Sequence, residues 1–232
     1  MANTELLFHL GHRARLKEKL LDGKLVGYEL LELLLTYAIP RRDVRPLARR
    51  LIEKFGGVYR VLHTSYEDLL TVDGVGPAVA TIIKLAHELI FVSYTERAIS
   101  GKYLADDKFV RDYCRHLVSG KTVEEFHVLY LGNDSRLLLD ETHSRGTIDE
   151  SAVYPREISR KALQLNAISV ILVHNHPLSD NDFSHADADL TSLIEERLNS
   201  FNISLIDHFL VTANGVVYSM RASPWLKRSS SV

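Results

Sequence analysis

Residues 172–187 read LVHNHPLSDNDFSHAD and follow directly on the apolar run AISVI at 167–171. Such a run predicts a strand buried on both faces. It ends on two histidines one residue apart, turns at Pro177, and gives way at Ser184 to a helical stretch, SHADADLTSLIEERLNS. Residues i and i+2 of a strand point to the same side, so His174 and His176 present their rings together at the strand's C-terminal end. A helix beginning near Ser184 places Asp187 in its first turn, from where a carboxylate oxygen reaches back toward the strand. Two imidazoles and one carboxylate leave a fourth tetrahedral position for water, the pattern of a catalytic rather than a structural zinc. Zinc in such a site brings its water close to ionisation at neutral pH. Taken singly, the same residues have plainer uses. Serine with an acidic residue three positions later resembles a capping box, and histidines at a strand edge can bond to backbone. Their conjunction in one strand, turn and helix is what points to a metal.

A nucleophilic water needs a base. Glu124 and Glu125 open the strand EEFHVLYLG and point to opposite faces of it, so only one of them can serve. A Ser/His/Asp triad is a poor competitor, because no G-x-S-x-G elbow occurs. A zinc nucleobase deaminase needs H-x-E with P-C-x-x-C, and Cys114 is the only cysteine. That single cysteine also excludes a disulfide framework and fits a reducing compartment. The pair Asp207-His208 is read as an ordinary hydrogen-bonded strand pair rather than as support for a zinc ligand.

The hydrophobic period changes near residue 120. Before it, DVRPLARRLIEKFGG places Val44, Leu47, Ala48, Leu51, Ile52 and Phe55 on one helical stripe that stops at Gly56 and Gly57. GHRARLKEKLL, YELLELLLTYAI, SYEDLLTV and PAVATIIKLAHELI read the same way, so residues 1–98 predict a small all-α domain. The polar stretch YTERAISGKYLAD at 94–106 contains Gly101 and is the best linker, followed by a helix at 107–117; together they make a connecting segment at 99–120. From 121 to 224 short β-rich runs alternate with helices, and two hairpins are expected, across Asn133-Asp134 and at Asn214-Gly215. PREISRKALQLN reads as a helix with proline in its first turn. This predicts a layered α/β domain, with residues 225–232 a flexible tail.

The chain has 232 residues, 46% of them hydrophobic and 25% charged, enough for a real core and inconsistent with extensive disorder. A formal net charge of -2 gives no global signature of a nucleic-acid binder. The N-terminus lacks the pattern of a secretory signal, and YELLELLLTYAI is too short to span a bilayer. These features predict a cytoplasmic protein with no membrane partner.

The ordered set of a glutamate, His174-x-His176-Pro177 and Ser184-x-x-Asp187 resembles the JAMM metalloprotease motif of the JAB1/MPN domain. The stretches EEFHVLYLG, SRGT, YPREISRKAL, NAISVILVHNHP, FSHADADLT and LIDHFLVTANGVVYS are similar to bacterial RadC proteins over nearly all of residues 122–220. The resemblance implies a cytidine-deaminase-like α/β sandwich and a zinc-dependent hydrolase of peptide or isopeptide bonds. In the family the strand reads Glu-x-Phe, so Phe126 marks Glu124 as the position of the catalytic glutamate. His174, His176 and Asp187 correspond to the zinc ligands, and Ser184 to the residue that steadies the oxyanion. RadC proteins usually carry Ser-Gly after HNHP, where this chain has Leu178-Ser179, which bears on the loop's shape and on substrate access.

The resemblance extends to the first half. LLTVDGVGPAVA at 69–80 has the pattern of a helix-hairpin-helix, in which glycines, here Gly74 and Gly76, let backbone amides approach a phosphate. Its following helix has no basic residue before Lys84, although Arg41, Arg42, Arg45, Arg49 and Arg50 could supply a basic face. Weak, non-specific DNA contact is the partner this implies, beside an unidentified protein or peptide substrate. The competing function is a DNA-binding accessory protein whose metal site is structural or inactive.

Overall fold

The structure is a computed structural model and describes residues 2–146 and 153–225. The SRGT stretch leaves the described residues at Thr147, and the expected tail does so after Trp225. The chain divides into two compact units, Met1–Leu89 and Ile90–Val232.

The first unit is helical: α1 (Ala2–Leu21), α2 (Gly27–Ala38), α3 (Arg45–Phe55), α4 (Val58–His63), α5 (Tyr66–Leu70) and the start of α6 (Pro77–Ser100). The α3 stripe is buried as its spacing requires, with Val44, Leu47, Ala48 and Leu51 in one core with Leu31, Leu35, Val61, Leu69 and Ile83. Gly56 ends α3 in the left-handed region at φ +88°, and its N–H caps the Ile52 carbonyl. Two glutamates sit in the apolar α2 because each has a partner. Glu32 lies 2.7 Å from His12 Nε2, and Glu29 accepts from Lys19 at 2.7 Å and from the Val26 N–H at 3.2 Å. The six-residue α4 has no period long enough to read from sequence.

The stretch 94–106 differs from the linker expected there. No glycine or proline interrupts residues 78–100, so α6 continues to Ser100, and the break falls at Gly101, before a 3-10 turn at Lys102–Ala105. Among the described residues α6 alone is long and apolar enough, by length and composition, to cross a bilayer. Part of that apolar content is accounted for by packing: Val79, Ala80 and Ile83 lie in the core of the first unit and Ala98 in a core of the second.

The second unit is built on a five-stranded sheet in the order β2-β1-β3-β4-β5. Its strands are β1 (Glu125–Leu131), β2 (Leu137–Arg145), β3 (Ser169–His176), β4 (Ser204–Thr212) and β5 (Val217–Ser219). Both expected hairpins are present, and β3 pairs with β4 in parallel. One face carries α7 (Asp107–Val118), packed on Leu129, Leu131, Ile171, Val173, Phe209 and Val211. The other carries α8 (Pro155–Gln164) and α9 (His185–Asn199), packed on Phe126, Val128, Tyr130, Val170 and Leu172. This is the layered α/β arrangement expected for this half. Because β3 is covered on both faces, its alternate side chains enter two different cores.

Leu172 is fully buried between β1 and α9. Leu172→Ala should lower the unfolding free energy by about 2–5 kcal/mol, read as a reduced urea midpoint; an unchanged midpoint would mean this face is not a packed core.

Candidate metal centre

Antiparallel pairing sets Phe126 opposite His174. Alternation then sends His174 and His176 to the α8/α9 face together, with Glu124 two residues before Phe126 on that same face. The His174 and His176 rings lie 5.0 Å apart, centroid to centroid. Pro177 and the loop beyond it lead into α9, whose N-cap is Ser184.

Asp187 arrives from the first turn of α9, and its two oxygens have different partners. Oδ2 accepts from the Ser184 N–H at 2.7 Å and from the Ser184 hydroxyl at 2.6 Å, while Ser184 Oγ accepts from the Asp187 N–H at 3.2 Å. The capping box is therefore compatible with a metal-ligand role, because capping uses one carboxylate oxygen and leaves the other. Oδ1 faces His174 Nε2 at 3.4 Å. That nitrogen is buried with no hydrogen-bond partner. Ligand atoms of His174, His176 and Asp187 all lie within 4.8 Å of one another. A buried orphan nitrogen aimed into a gap lined by another imidazole and a carboxylate is what a cation would satisfy, and this donor set suits zinc.

The surroundings are dry and aromatic. Phe126 stacks on His174 at 6.3 Å between centroids, and Phe183 lies 5.7 Å from it. Burial, partly offset by Asp187 and reinforced by His176, pushes the His174 pKa down to about 4. Burial, then His174 and His176, hold His208 well below the ordinary histidine range. His208 is a residue whose place sequence reasoning missed. Its Nε2 lies 2.8 Å from His174 Nδ1, and its Nδ1 lies 2.6 Å from Thr191 Oγ1. The Asp207-His208 pair thus divides, contrary to its reading as an ordinary strand pair. Asp207 has the ordinary role, accepting from Ser219 and from the His208 and Arg221 amides. His208 instead faces the centre. The reason is a one-residue register shift: Val170 pairs with Leu205 but Ile171 with Asp207, and the extra residue re-aims β4.

The two glutamates separate as strand alternation requires. Glu125, 4% exposed, faces the α7 side. There its carboxylate meets His127 Nε2 at 3.1 Å, Arg145 Nε at 3.1 Å and Lys121 Nζ at 3.5 Å. Glu124 is half-buried, and burial raises its pKa, with Asp187 adding to the rise and His176 opposing it. Asn175, also unforeseen, holds the chain on both sides of Glu124: it accepts from the Glu125 N–H at 2.8 Å and donates to the Val123 carbonyl at 3.2 Å. Two clefts meet at Glu124 and Gly146. One, about 180 Å³, is walled by Phe126, Val153, Ala186 and Leu190 beside His174 and Asp187. The other, about 520 Å³, runs past His176, Leu178 and Phe183 to Ser184.

A family model described as a RadC-like JAB domain matches residues 104–225. The chain belongs to the RadC family. It is 39% identical to the UPF0758 protein FN0909 of Fusobacterium nucleatum over 215 residues, covering 88% of this chain and 92% of that one. It is 40% identical to the UPF0758 protein SPO0054 of Ruegeria pomeroyi over 222 residues, covering 93% of this chain and 97% of that one. The matched region of this RadC chain contains every residue of the centre.

Leu178, which follows Pro177 in the loop, is 91% exposed. The loop is tied down from outside: Ser179 O accepts from the Ala213 N–H at 3.0 Å, and Asp180 accepts from the Asn214 N–H at 2.9 Å. In the first unit, Gly74 and Gly76 form the turn between α5 and α6. Gly74 needs its φ of +90°, and a Cβ there would meet Leu47 at 3.4 Å, whereas nothing lies within 4 Å of one on Gly76. Arg50 donates to the Asp73 carbonyl and carboxylate, and Arg45 pairs with Asp43, which leaves Arg41, Arg42 and Arg49 as the exposed remainder of the expected basic face.

In an unfolded chain the histidine pKa is about 6.5, so the fold, with His174 and His208 held neutral, binds fewer protons below that value. Their contribution to stability is complete above about pH 6.5 and is lost as the pH falls toward about 4. The urea midpoint of chelator-treated protein should therefore drop between about pH 7 and about pH 5; a midpoint flat across that range counts against a neutral pair.

Proposed function

We propose that the second unit is a zinc-dependent hydrolase of peptide or isopeptide bonds, with His174, His176 and Asp187 holding the metal and Glu124 acting as base and acid. The observation that carries this is the buried, unpartnered His174 Nε2, which faces Asp187 Oδ1 at 3.4 Å. When bound, zinc polarises a carbonyl and acidifies water. Glu124, its pKa raised by burial, accepts the proton of the attacking water and returns it to the leaving nitrogen. Ser184 turns its hydroxyl from Asp187 Oδ2 to the substrate oxygen and steadies the negative charge there, while its N–H keeps Oδ2 in place. The two clefts that meet at Glu124 support an extended substrate gripped on both sides of the cleaved bond. Membership of a JAB-domain family supports the hydrolytic reading.

Glu124→Gln should keep zinc and the fold while lowering peptide or isopeptide cleavage by about 10²–10⁴-fold. Glu125→Gln should lower stability, since it weakens the contacts of a buried carboxylate with the His127 ring and the exposed Arg145, yet leave the activity per folded molecule nearly unchanged. Equal loss from both would mean that the proton carrier is misassigned. Full zinc content with no cleavage of any peptide or isopeptide probe would favour the accessory-protein reading, with a structural metal. For the first unit the proposal is weak, sequence-independent duplex contact at the Gly74–Gly76 turn. It should show a shallow salt dependence, and absence of DNA retention at low salt removes it.

A further inference from the structure

A metal ligand must offer a bare nitrogen. A neutral imidazole has one bare and one protonated nitrogen, so the partner of the second nitrogen decides whether the first can bind. For His174 that partner is His208, itself an imidazole able to donate or accept, and the 2.8 Å contact alone leaves the direction open. The next contact settles it. Thr191 Oγ1 lies 2.5 Å from the Asp187 carbonyl oxygen, one turn earlier on α9, and 2.6 Å from His208 Nδ1.

A carbonyl can only accept, so the single Thr191 hydroxyl proton goes to Asp187 O. Thr191 Oγ1 must then accept from His208 Nδ1–H. That leaves His208 Nε2 bare, and it accepts from His174 Nδ1–H. His174 Nε2 is left bare in turn, and this is the buried atom with no partner that faces Asp187 Oδ1. His176 reaches the same state by a shorter route, since its Nδ1 lies 3.3 Å from the Asn181 carbonyl.

We propose that Thr191 and His208 are positioning residues that set the tautomer of His174, their proton order fixed at its far end by the backbone carbonyl of Asp187, a second ligand of the same metal. This inference rests on the metal-site reading above. It adds that β4 and α9, neither of which contains His174, determine which of its nitrogens can bind. In the reversed order the 2.5 Å contact between Thr191 Oγ1 and the Asp187 carbonyl would set two oxygens together with no proton between them, and His174 Nε2–H would occupy the gap proposed for the cation.

The test uses the full chain and zinc as the probe. In metal-free protein near neutral pH, ring ¹⁵N shifts of His174 should report a protonated Nδ1 and a bare Nε2. Thr191→Val keeps the shape and removes the hydroxyl. It should mix the two His174 tautomers and weaken zinc binding, measured by chelator competition, by about 10–100-fold. Thr191→Ser restores the hydroxyl and should recover both. A packing role for Thr191 would give the opposite order, valine tolerated and serine harmful. The proposal is overturned if wild-type His174 carries its proton on Nε2, if Thr191→Val binds zinc as wild type does, or if valine outperforms serine. Should the valine variant fail to fold, the wild-type spectrum still decides. Hydrolysis enters neither readout, so an inactive protein that passes both would count against the hydrolase reading alone.

Discussion

Antiparallel pairing of β1 with β3, with Phe126 opposite His174, sets the parity of every side chain on both strands. One face receives Glu124, Phe126, His174 and His176; the other receives Glu125, His127 and Asn175. A slip of one residue would exchange Glu124 for Glu125 and bring a carboxylate already held by Arg145, Lys121 and the His127 ring into the apolar face. The alternatives are so unequal because the two faces differ chemically. The α7 side surrounds its carboxylate with His127, Arg145 and Lys121, whereas the α8/α9 side surrounds its histidines with Phe126 and Phe183.

Dryness does two things at once. It disfavours imidazolium at His174 and His208, which favours the neutral form that a metal ligand needs. It also makes any unmatched buried polar atom costly, which is why the buried, unpartnered His174 Nε2 carries so much meaning. Asp187 shows the same economy, with one oxygen in the helix cap and the other turned to the imidazole.

The first unit follows ordinary helical packing, and its charged residues are accounted for locally. Glu29 and Glu32 are held by Lys19 and His12, and Arg50 is drawn onto Asp73 at the turn that contains Gly74. The last of these removes from the turn a cation that its phosphate-contact reading would use.

The three ligand candidates, the strand, loop and helix that present them, and the α/β layering were all legible in the sequence. Each follows from a local rule: period 2 on β3, an N-cap at Ser184 three residues before Asp187, and a change of hydrophobic period near residue 120. The residues' own pattern left Glu124 and Glu125 equivalent, since alternation says that they differ in face but not which face is which. Only packing against α7 on one side and α9 on the other decided that. Thr191, His208 and Asn175 were beyond reach for a stronger reason. Each has a partner 17 to 52 residues away, and His208 faces the centre only because β4 gains one residue against β3. A register shift between parallel strands leaves no mark on either strand's own periodicity; it exists only in how the two are laid side by side.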